Sequence, residues 1–594
     1  MSAQHRDILT IDSESFSYIF EENVSVPLGN GGVIRCNVYK PKAASAGTKF
    51  PVLMTYGPYG KDVPYKDFNP KSFSELHPTH QTEHSAWETP TPQFWTDNGY
   101  IVIRADEIGI GQSPGVLNVK SASSIAGFCD VIEWAAEQEW CSGKVGLLGV
   151  SYYAATQWQV ASLQPKGLAA IVPWEGFSDP YSESLRHGGI LSNKFYSMWY
   201  SRQVAPNQYG LPGRAARDWG PDTVEGDLSA GELNANRYEA VLHEQRYRDD
   251  KSLSSLNFNL EDVTVPVLSV ANLGGNLLHL RGNVLGYLWA GSDFKYLRFI
   301  AGRHDLPFYY PEEVEVQKSF LDAWLKGDDR EGWTKKGAVP AVDLVLRQGN
   351  VGCNNPRGEK TFLRRKENEW PLSRTKYTPF YLTANKMLQR DSPEQQHLPS
   401  KLTYQALGAG ELEHILTFTS APFDSVTEVT GHIVAHLNVS ISKDRWGGSP
   451  SDLDLFLTLR HLSPSGEEIS YTGSAGEPVP VTKGWLRVSL RKTNPQHPRH
   501  RSWLPHRDFY STDVLPVVPN DVYHVEVELW PTNVVVESGG RLALEVSSGD
   551  TSGTGFWGHN DPIDRSDDVF KGQNHIHFGA HYVNSIILPI IPAN

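Results

Sequence analysis

Short apolar runs, each ending in a Gly, Pro or acidic turn, alternate with stretches of helical periodicity through the first half of the chain. Residues 51–56, 100–104, 145–148 and 168–172 read as buried strands. Phe128, Val131, Ile132, Ala135 and Ala136 recur at helical spacing and form one apolar face. From Ala154 onward a run rich in small residues reads as a further helix. The opening stretch, 16–39, alternates around Gly-Asn-Gly-Gly and predicts a β-hairpin. Residues 61–92, rich in Pro, His and Ser with little periodicity, read as a long loop. Alternating strands and helices imply a parallel sheet wrapped by helices, and in such sheets chemistry gathers at the carboxyl ends of the strands. Tyr59, Asp106, Ser151 and Glu175 each follow a strand end and are expected on one rim.

The alternation breaks over 179–262, a charged, aromatic and helix-prone stretch read as an inserted helical cap. It resumes with strands at 265–270 and 296–300, the second followed by His304. A closing helix begins at Pro311, carries Glu312 and Glu313 in its first turn, and stops at Gly327. Beyond residue 328 the period changes from helical to alternating. Segments 429–440, 453–459, 522–529 and 541–546, divided by Gly- and Pro-rich turns, read as an antiparallel sandwich. The expected architecture is therefore α/β, with a catalytic domain in two parts (1–178 and 263–335), the cap at 179–262 between them, and a β-sandwich at 336–594.

A chain of 594 residues is too long for one domain, in keeping with this division. No apolar run reaches transmembrane length, and the first residues show no basic region followed by an apolar core, so a cytoplasmic location is expected. Four scattered cysteines suit a reducing compartment. A net charge of -14 argues against a nucleic-acid partner. The local exception is the basic stretch 487–507, read as a solvated loop in preference to a binding patch. No Cys/His cluster has zinc spacing, so no metal is expected. No cofactor is implied either, since Gly109-x-Gly111 lacks a well-placed third Gly and a helix start. The expected partner is a small-molecule substrate; membranes are excluded and homo-oligomerisation is left open.

Ser151 falls in Gly149-Val150-Ser151, on the turn between a strand and a helix. That turn pushes a hydroxyl out of the sheet and points the next backbone N–H, that of Tyr152, at a developing oxyanion. A serine hydroxyl needs an adjacent base to act as a nucleophile. His304, just past a later strand, is the leading candidate, and the order Ser before His is that of α/β-hydrolases. His187 and His279 compete with it. Trp174, Phe195 and Trp199 are the candidate substrate-contacting aromatics, with the cap core as the alternative reading of the aromatic cluster.

The run Ile132-Glu133-Trp134…Gly143-Lys144-Val145-Gly146…Gly149-Val150-Ser151-Tyr152 resembles the nucleophile region of the X-Pro dipeptidyl-peptidase/cocaine esterase-like serine hydrolases. Ala154 stands where that family has a Gly. Gly57-Pro58-Tyr59 resembles the family segment whose Tyr hydroxyl is the second oxyanion donor. Gly302-Arg303-His304 and the stretch 320–327 resemble its catalytic His and closing helix. Asp452-Leu453-Asp454-Leu455-Phe456, Gly484-Trp485-Leu486-Arg487 and Glu528-Leu529-Trp530-Pro531-Thr532 are similar to its jelly-roll, galactose-binding-like domain. The resemblance spans nearly the whole chain and implies an acyl-enzyme on Ser151 with His304 as base.

The third member departs from the family. Its Asp usually stands in the turn after the strand at 265–270, and here that turn is Asn272-Leu273-Gly274-Gly275-Asn276. Three readings stay open. Glu175, one strand over, holds His304, with Asp179 the weaker acid at the same place. Alternatively Asn272 or Asn276 orients the imidazole without charge. In the third reading the triad is degraded and the fold repurposed, as a lyase, transferase or binding protein. The expected activity is hydrolysis of a carboxylic ester or amide of a small organic molecule, with X-Pro dipeptide release as the alternative.

Overall fold

The computed structural model describes the chain except residues 1–3, 6–7, 211–213, 218, 220–221, 223, 226–243, 255, 393–398, 408–411, 446 and 594. Two large sheets organise it. The first has eleven strands: β1 (Thr10–Asp12), β2 (Tyr18–Pro27), β3 (Val33–Pro41), β4 (Phe50–Gly57), β5 (Ile101–Asp106), β6 (Cys141–Val150), β7 (Leu168–Trp174), β8 (Val267–Asn272), β9 (Lys295–Ile300), β10 (Val342–Leu346) and β11 (Leu363–Glu367). Their spatial order is β11-β10-β9-β8-β7-β6-β4-β5-β3-β2-β1. Pairings from β5 through β10 are parallel, and the flanking hairpins are antiparallel.

The parallel strands are apolar on both faces because helices cover both. In β6, Val145 and Leu147 pack with Phe128, Val131 and Ile132 of α1 (Ala122–Glu137). Leu148 and Val150 join the opposite core, with Phe320 and Leu321 of the helix Pro311–Leu321. Ser121 caps α1, its hydroxyl accepting from the Ser124 N–H at 3.3 Å. The closing helix runs on to Lys326 and ends at Gly327, whose φ of 79° is the left-handed C-terminal stop.

Register aligns the functional rim. Val150 pairs with Trp174, Trp174 with Val270, and Asn272 with Ile300. The next residues of β6, β7, β8 and β9 therefore emerge side by side, and they carry Ser151, Glu175, the 273–276 turn and the His304 loop. The sheet does not end near residue 335: β10 and β11 belong to it, although they lie in the stretch expected to open the C-terminal domain.

In the expected cap, the described residues form short pieces, including Asn193–Trp199, Lys251–Ser254 and π-turns at Tyr181–Leu185 and Tyr200–Val204. Residues 211–213 and 226–243 of the cap lie outside the described residues. The second sheet is almost entirely antiparallel and builds the C-terminal domain. It includes β12 (Thr427–Ser442), β13 (Asp454–Leu462), β14 (Tyr523–Val536) and β15 (Arg541–Ser547), with β12 on β14 and β13 on β15. Alternate residues such as Val429, Leu437, Leu455, Leu457, Val527 and Leu544 fill its core.

Candidate active site

Ser151 follows β6 and precedes α2 (Tyr152–Ser162), with φ 62° and ψ -115°. An L-residue there is strained by about 1–3 kcal/mol, a cost sustained only where the surroundings impose it. Both flanks impose it here. Gly149 leaves no room for a side chain, because a Cβ would sit 2.8 Å from that of Tyr153. The Ser151 N–H is held by the carbonyls of Trp174 and Glu175, each at 3.1 Å. Gly176 lets the next loop press against α2, where an added Cβ would meet that of Ala154 at 2.4 Å. Of the ten described non-glycine residues with positive φ, four lie at this site: Glu88, Lys120, Ser151 and Glu175.

The structure places Glu175 Oε2 2.9 Å from His304 Nδ1. Glu175 is fully buried; its other oxygen accepts from Asn272 Nδ2 at 3.2 Å. The same amide donates to the Gly302 carbonyl at 2.8 Å, so Asn272 ties the acid to the loop carrying His304. Asn272 thus acts on the acid and makes no contact with the imidazole. Asn276 reaches only the Pro480 carbonyl, at 3.4 Å, and Asp179 is engaged by Arg248 at 2.7 and 2.8 Å. Asp305 is held by Arg303 and Ser72.

The far side of His304 carries an acid that the sequence did not single out. The stretch 61–92, expected as one long loop, holds the short helices Tyr65–Phe68 and Pro70–Glu75. Glu88, beyond them, lies 3.0 Å from Nε2 and is 4% exposed, and its carbonyl accepts from the Val150 N–H. Burial alone would lower the His304 pKa; the charges and hydrogen bonds of Glu175 and Glu88 outweigh it and hold the imidazole well above its ordinary range. Burial also raises both carboxyls, opposed by His304.

His279, the competing base candidate, occupies the position facing the serine. Its Nε2 is 3.2 Å from Ser151 Oγ, and its ring lies parallel to those of His304 (5.1 Å) and Phe177 (5.7 Å). Burial, then the charges of His304 and Lys120, keep it neutral, well below the usual imidazole value. Its Nδ1 is buried with no hydrogen-bond partner among the described residues. A histidine without a carboxylate behind it cannot stabilise the imidazolium that proton transfer makes. His304 has that support, so His279 is suited to orient the hydroxyl and His304 to take its proton. His187 lies elsewhere, against His559 and Trp485 of the C-terminal domain.

Tyr59, past the end of β4, accepts at its hydroxyl from Trp199 Nε1 at 2.9 Å. Burial, then Glu88, hold its phenol protonated, while hydrogen bonds from Trp199 and Ser151 oppose them. It therefore stands beside the nucleophile as a donor. Tyr152 N–H lies in the first turn of α2, where no helical carbonyl satisfies it. Of the three aromatics proposed to meet substrate, Trp199 touches Tyr59 and stacks on Tyr152 at 6.0 Å. Phe195 stacks on Trp557 of the C-terminal domain at 4.0 Å. Trp174 is core: the last residue of β7, it is fully buried against Phe308, because alternation along the strand turns it into the layer below the rim.

Among the described residues, one trio of side chains is close enough to share a metal ion, His497, His506 and Asp508. It lies in a C-terminal-domain loop within the stretch whose spacing suggested none, and it is not among the groups around Ser151. No helix among the described residues is long and apolar enough to cross a membrane.

Family comparisons agree with this geometry. Residues 30–284 match the X-Pro dipeptidyl-peptidase (S15 family) model, and residues 334–587 match the X-Pro dipeptidyl-peptidase C-terminal non-catalytic domain. A cocaine esterase of Rhodococcus sp. is 24% identical, over 97% of this chain and 99% of its own. An Xaa-Pro dipeptidyl-peptidase of Lacticaseibacillus rhamnosus is 25% identical, over 89% of this chain and 72% of its own. The crystal structure of a CocE/NonD family hydrolase from Staphylococcus aureus superposes with a TM-score of 0.80 and 28% identity, covering 100% of this chain and 97% of that one. An α/β-hydrolase sheet with a serine on a strained elbow, followed by a C-terminal domain, makes this chain a serine hydrolase. It belongs to the X-Pro dipeptidyl-peptidase/cocaine esterase-like (CocE/NonD) family.

Proposed function

We propose that the protein cleaves a carboxylic ester or amide of a small organic substrate through an acyl-enzyme on Ser151. The observation that carries this reading is the 2.9 Å contact from Glu175 to His304 Nδ1, behind the serine elbow. Ser151 Oγ forms a bond to the substrate carbonyl carbon and gives its proton to His304 Nε2. His304 then passes that proton to the departing oxygen or nitrogen as its bond to the acyl carbon breaks. A water molecule, deprotonated by the same imidazole, then bonds to the acyl carbon. The bond from that carbon to Ser151 Oγ breaks, His304 returns the proton to Oγ, and the acid leaves. The Tyr59 hydroxyl and the Tyr152 N–H hold the oxyanion, each worth about 3 kcal/mol in the transition state. Glu175 keeps the imidazole in the correct tautomer and stabilises its charged form. For that cycle Nε2 must turn from Glu88 to the serine, so substrate entry has to loosen the Glu88 contact.

The names of the relatives support both esters and X-Pro dipeptides as substrate classes. Ester or small-amide cleavage is the first reading. X-Pro dipeptide release is the second, supported by the name of the Lacticaseibacillus relative. The C-terminal sheet is read as a jelly-roll of galactose-binding type.

A fluorophosphonate probe is expected to label Ser151 in the wild type and to leave Ser151→Ala unlabelled; a wild type that resists labelling at high probe concentration contradicts an activated serine. Comparing a para-nitrophenyl ester with an X-Pro para-nitroanilide then separates the two substrate readings.

A further inference from the structure

Lys120 is the one buried cation of the site that the mechanism leaves unused. Its side chain is deep in the molecule, the residue being 4% exposed, and its ammonium makes no hydrogen bond and no ion pair among the described residues. Three aromatic faces surround it instead: Phe177 at 4.3 Å, Tyr152 at 4.9 Å and Trp199 at 5.8 Å from Nζ to ring centroid. Glu107, whose charge reaches it, is spent on Tyr152 Oη at 2.6 Å and on Ser124. Burial pulls the ammonium down to about 7, against the opposing charge of Glu107.

The backbone is fixed to present this side chain. Lys120 has φ 56°, and its N–H is held by Tyr152 Oη at 3.1 Å and Glu107 Oε1 at 3.3 Å. Its carbonyl accepts from Gln159 Nε2 at 3.3 Å. A left-handed lysine pinned from both sides and buried with no carboxylate on its ammonium is costly to keep for packing alone.

Its neighbours locate it against the chemistry. Phe177 stacks on His279, which contacts Ser151, and Trp199 bonds to Tyr59. Contacts thus pass from His304 through His279 and Phe177 to Lys120, with Glu88 at the opposite, base-side end. The leaving group departs on the side of His304, which protonates it, so the acyl portion extends toward Lys120.

We propose that Lys120 is a specificity residue that binds a carboxylate carried on the acyl part of the substrate, making the preferred substrates half-esters or half-amides of dicarboxylic acids. Three aromatic rings around the ammonium leave it few polar competitors, and a carboxylate there gains a charge-assisted hydrogen bond. This inference rests on the serine-hydrolase reading of the same site.

The test compares para-nitrophenyl hydrogen glutarate with neutral para-nitrophenyl hexanoate, on wild type, Lys120→Met and Lys120→Gln, with fluorophosphonate labelling and thermal melting as controls. Wild type is expected to favour the glutarate half-ester by about tenfold or more in kcat/KM, chiefly through KM. In both variants the ratio between the two esters should fall to about one. Wild type cleaving both esters equally overturns the proposal while leaving the hydrolase reading intact. So does a preference that survives in a folded, labelled variant. A preference for carboxylates on the alcohol side also overturns it. Cleavage of neither ester, with no labelling, instead removes the hydrolase reading beneath it.

Discussion

His304 sits between two carboxylates, and they act on it differently. Glu175 lies on Nδ1, and in the proposed cycle its charge supports the imidazolium while Nε2 exchanges the proton. Glu88 holds Nε2, the nitrogen that must accept the serine proton, so it favours a resting, protonated imidazole. A base whose pKa is raised becomes competent only as pH climbs through that raised value, so kcat/KM should rise with pH through it. Glu88→Gln removes one of the charges that raise it. The acid limb of the pH profile should then move to lower pH, by about one to three units. A limb that stays in place, or moves upward, would mean that Glu88 does not control the base.

At the scale of elements, most of the chain was legible and its punctuation was the guide. The expected strand at 51–56 is Phe50–Gly57, that at 296–300 is Lys295–Ile300, and that at 541–546 is Arg541–Ser547. These runs are buried on known faces, so pattern and burial agree. The helix from Pro311 to Gly327 had its start and stop written in Pro, Glu and Gly. Legibility failed where geometry depends on tertiary partners. The stretch 61–92 has no period, yet it folds into two short helices and delivers Glu88 to His304, held there by a backbone contact to Val150 that no local pattern encodes. No motif marks Lys120, and only the folded chain surrounds it with rings from three separate segments. Trp174 and Glu175, neighbours at a strand end, were read as a substrate-contacting aromatic and a catalytic acid; strand alternation sends the first into the core, and the second, at positive φ, reaches His304. The missing family Asp was visible from the turn at 272–276, and Glu175 was among the readings for its replacement; what the pattern did not encode is the geometry that brings Glu175 to His304. It needs β7 and β8 in register and Asn272 reaching back to Glu175.

Across the whole molecule, the C-terminal domain buttresses the site. The His304 N–H donates to the Ser474 carbonyl at 2.9 Å, and Asn276 donates to that of Pro480. Gly274 allows the same domain to approach, since a Cβ there would fall 1.9 Å from the Thr472 carbonyl. Farther out, Asp564 of the C-terminal domain is buried between Arg186 of the cap, at 2.7 Å, and Arg487, at 2.9 Å. Despite burial, these guanidiniums hold its carboxyl well below the usual range. Its contribution to stability is therefore full above the ordinary Asp range and is lost as pH falls through the depressed value. Asp564→Asn removes the buried carboxylate shared by Arg186 and Arg487, of which Arg487 keeps Asp454 at 2.9 Å, and should destabilise the protein by about 3–5 kcal/mol at neutral pH, read as a lowered denaturation midpoint. The difference from wild type should shrink in acid; an unchanged midpoint would show that the cluster does not join cap to domain.

The account as a whole stands on the acid having moved one strand over, to Glu175. Its most direct test is the turnover of Glu175→Gln on a simple aryl ester, in protein whose melting behaviour matches wild type. A neutral side chain of the same shape keeps the packing around His304 but removes the charge behind it, and kcat should fall by about 10⁴. A variant retaining turnover within about tenfold of wild type would contradict the assignment.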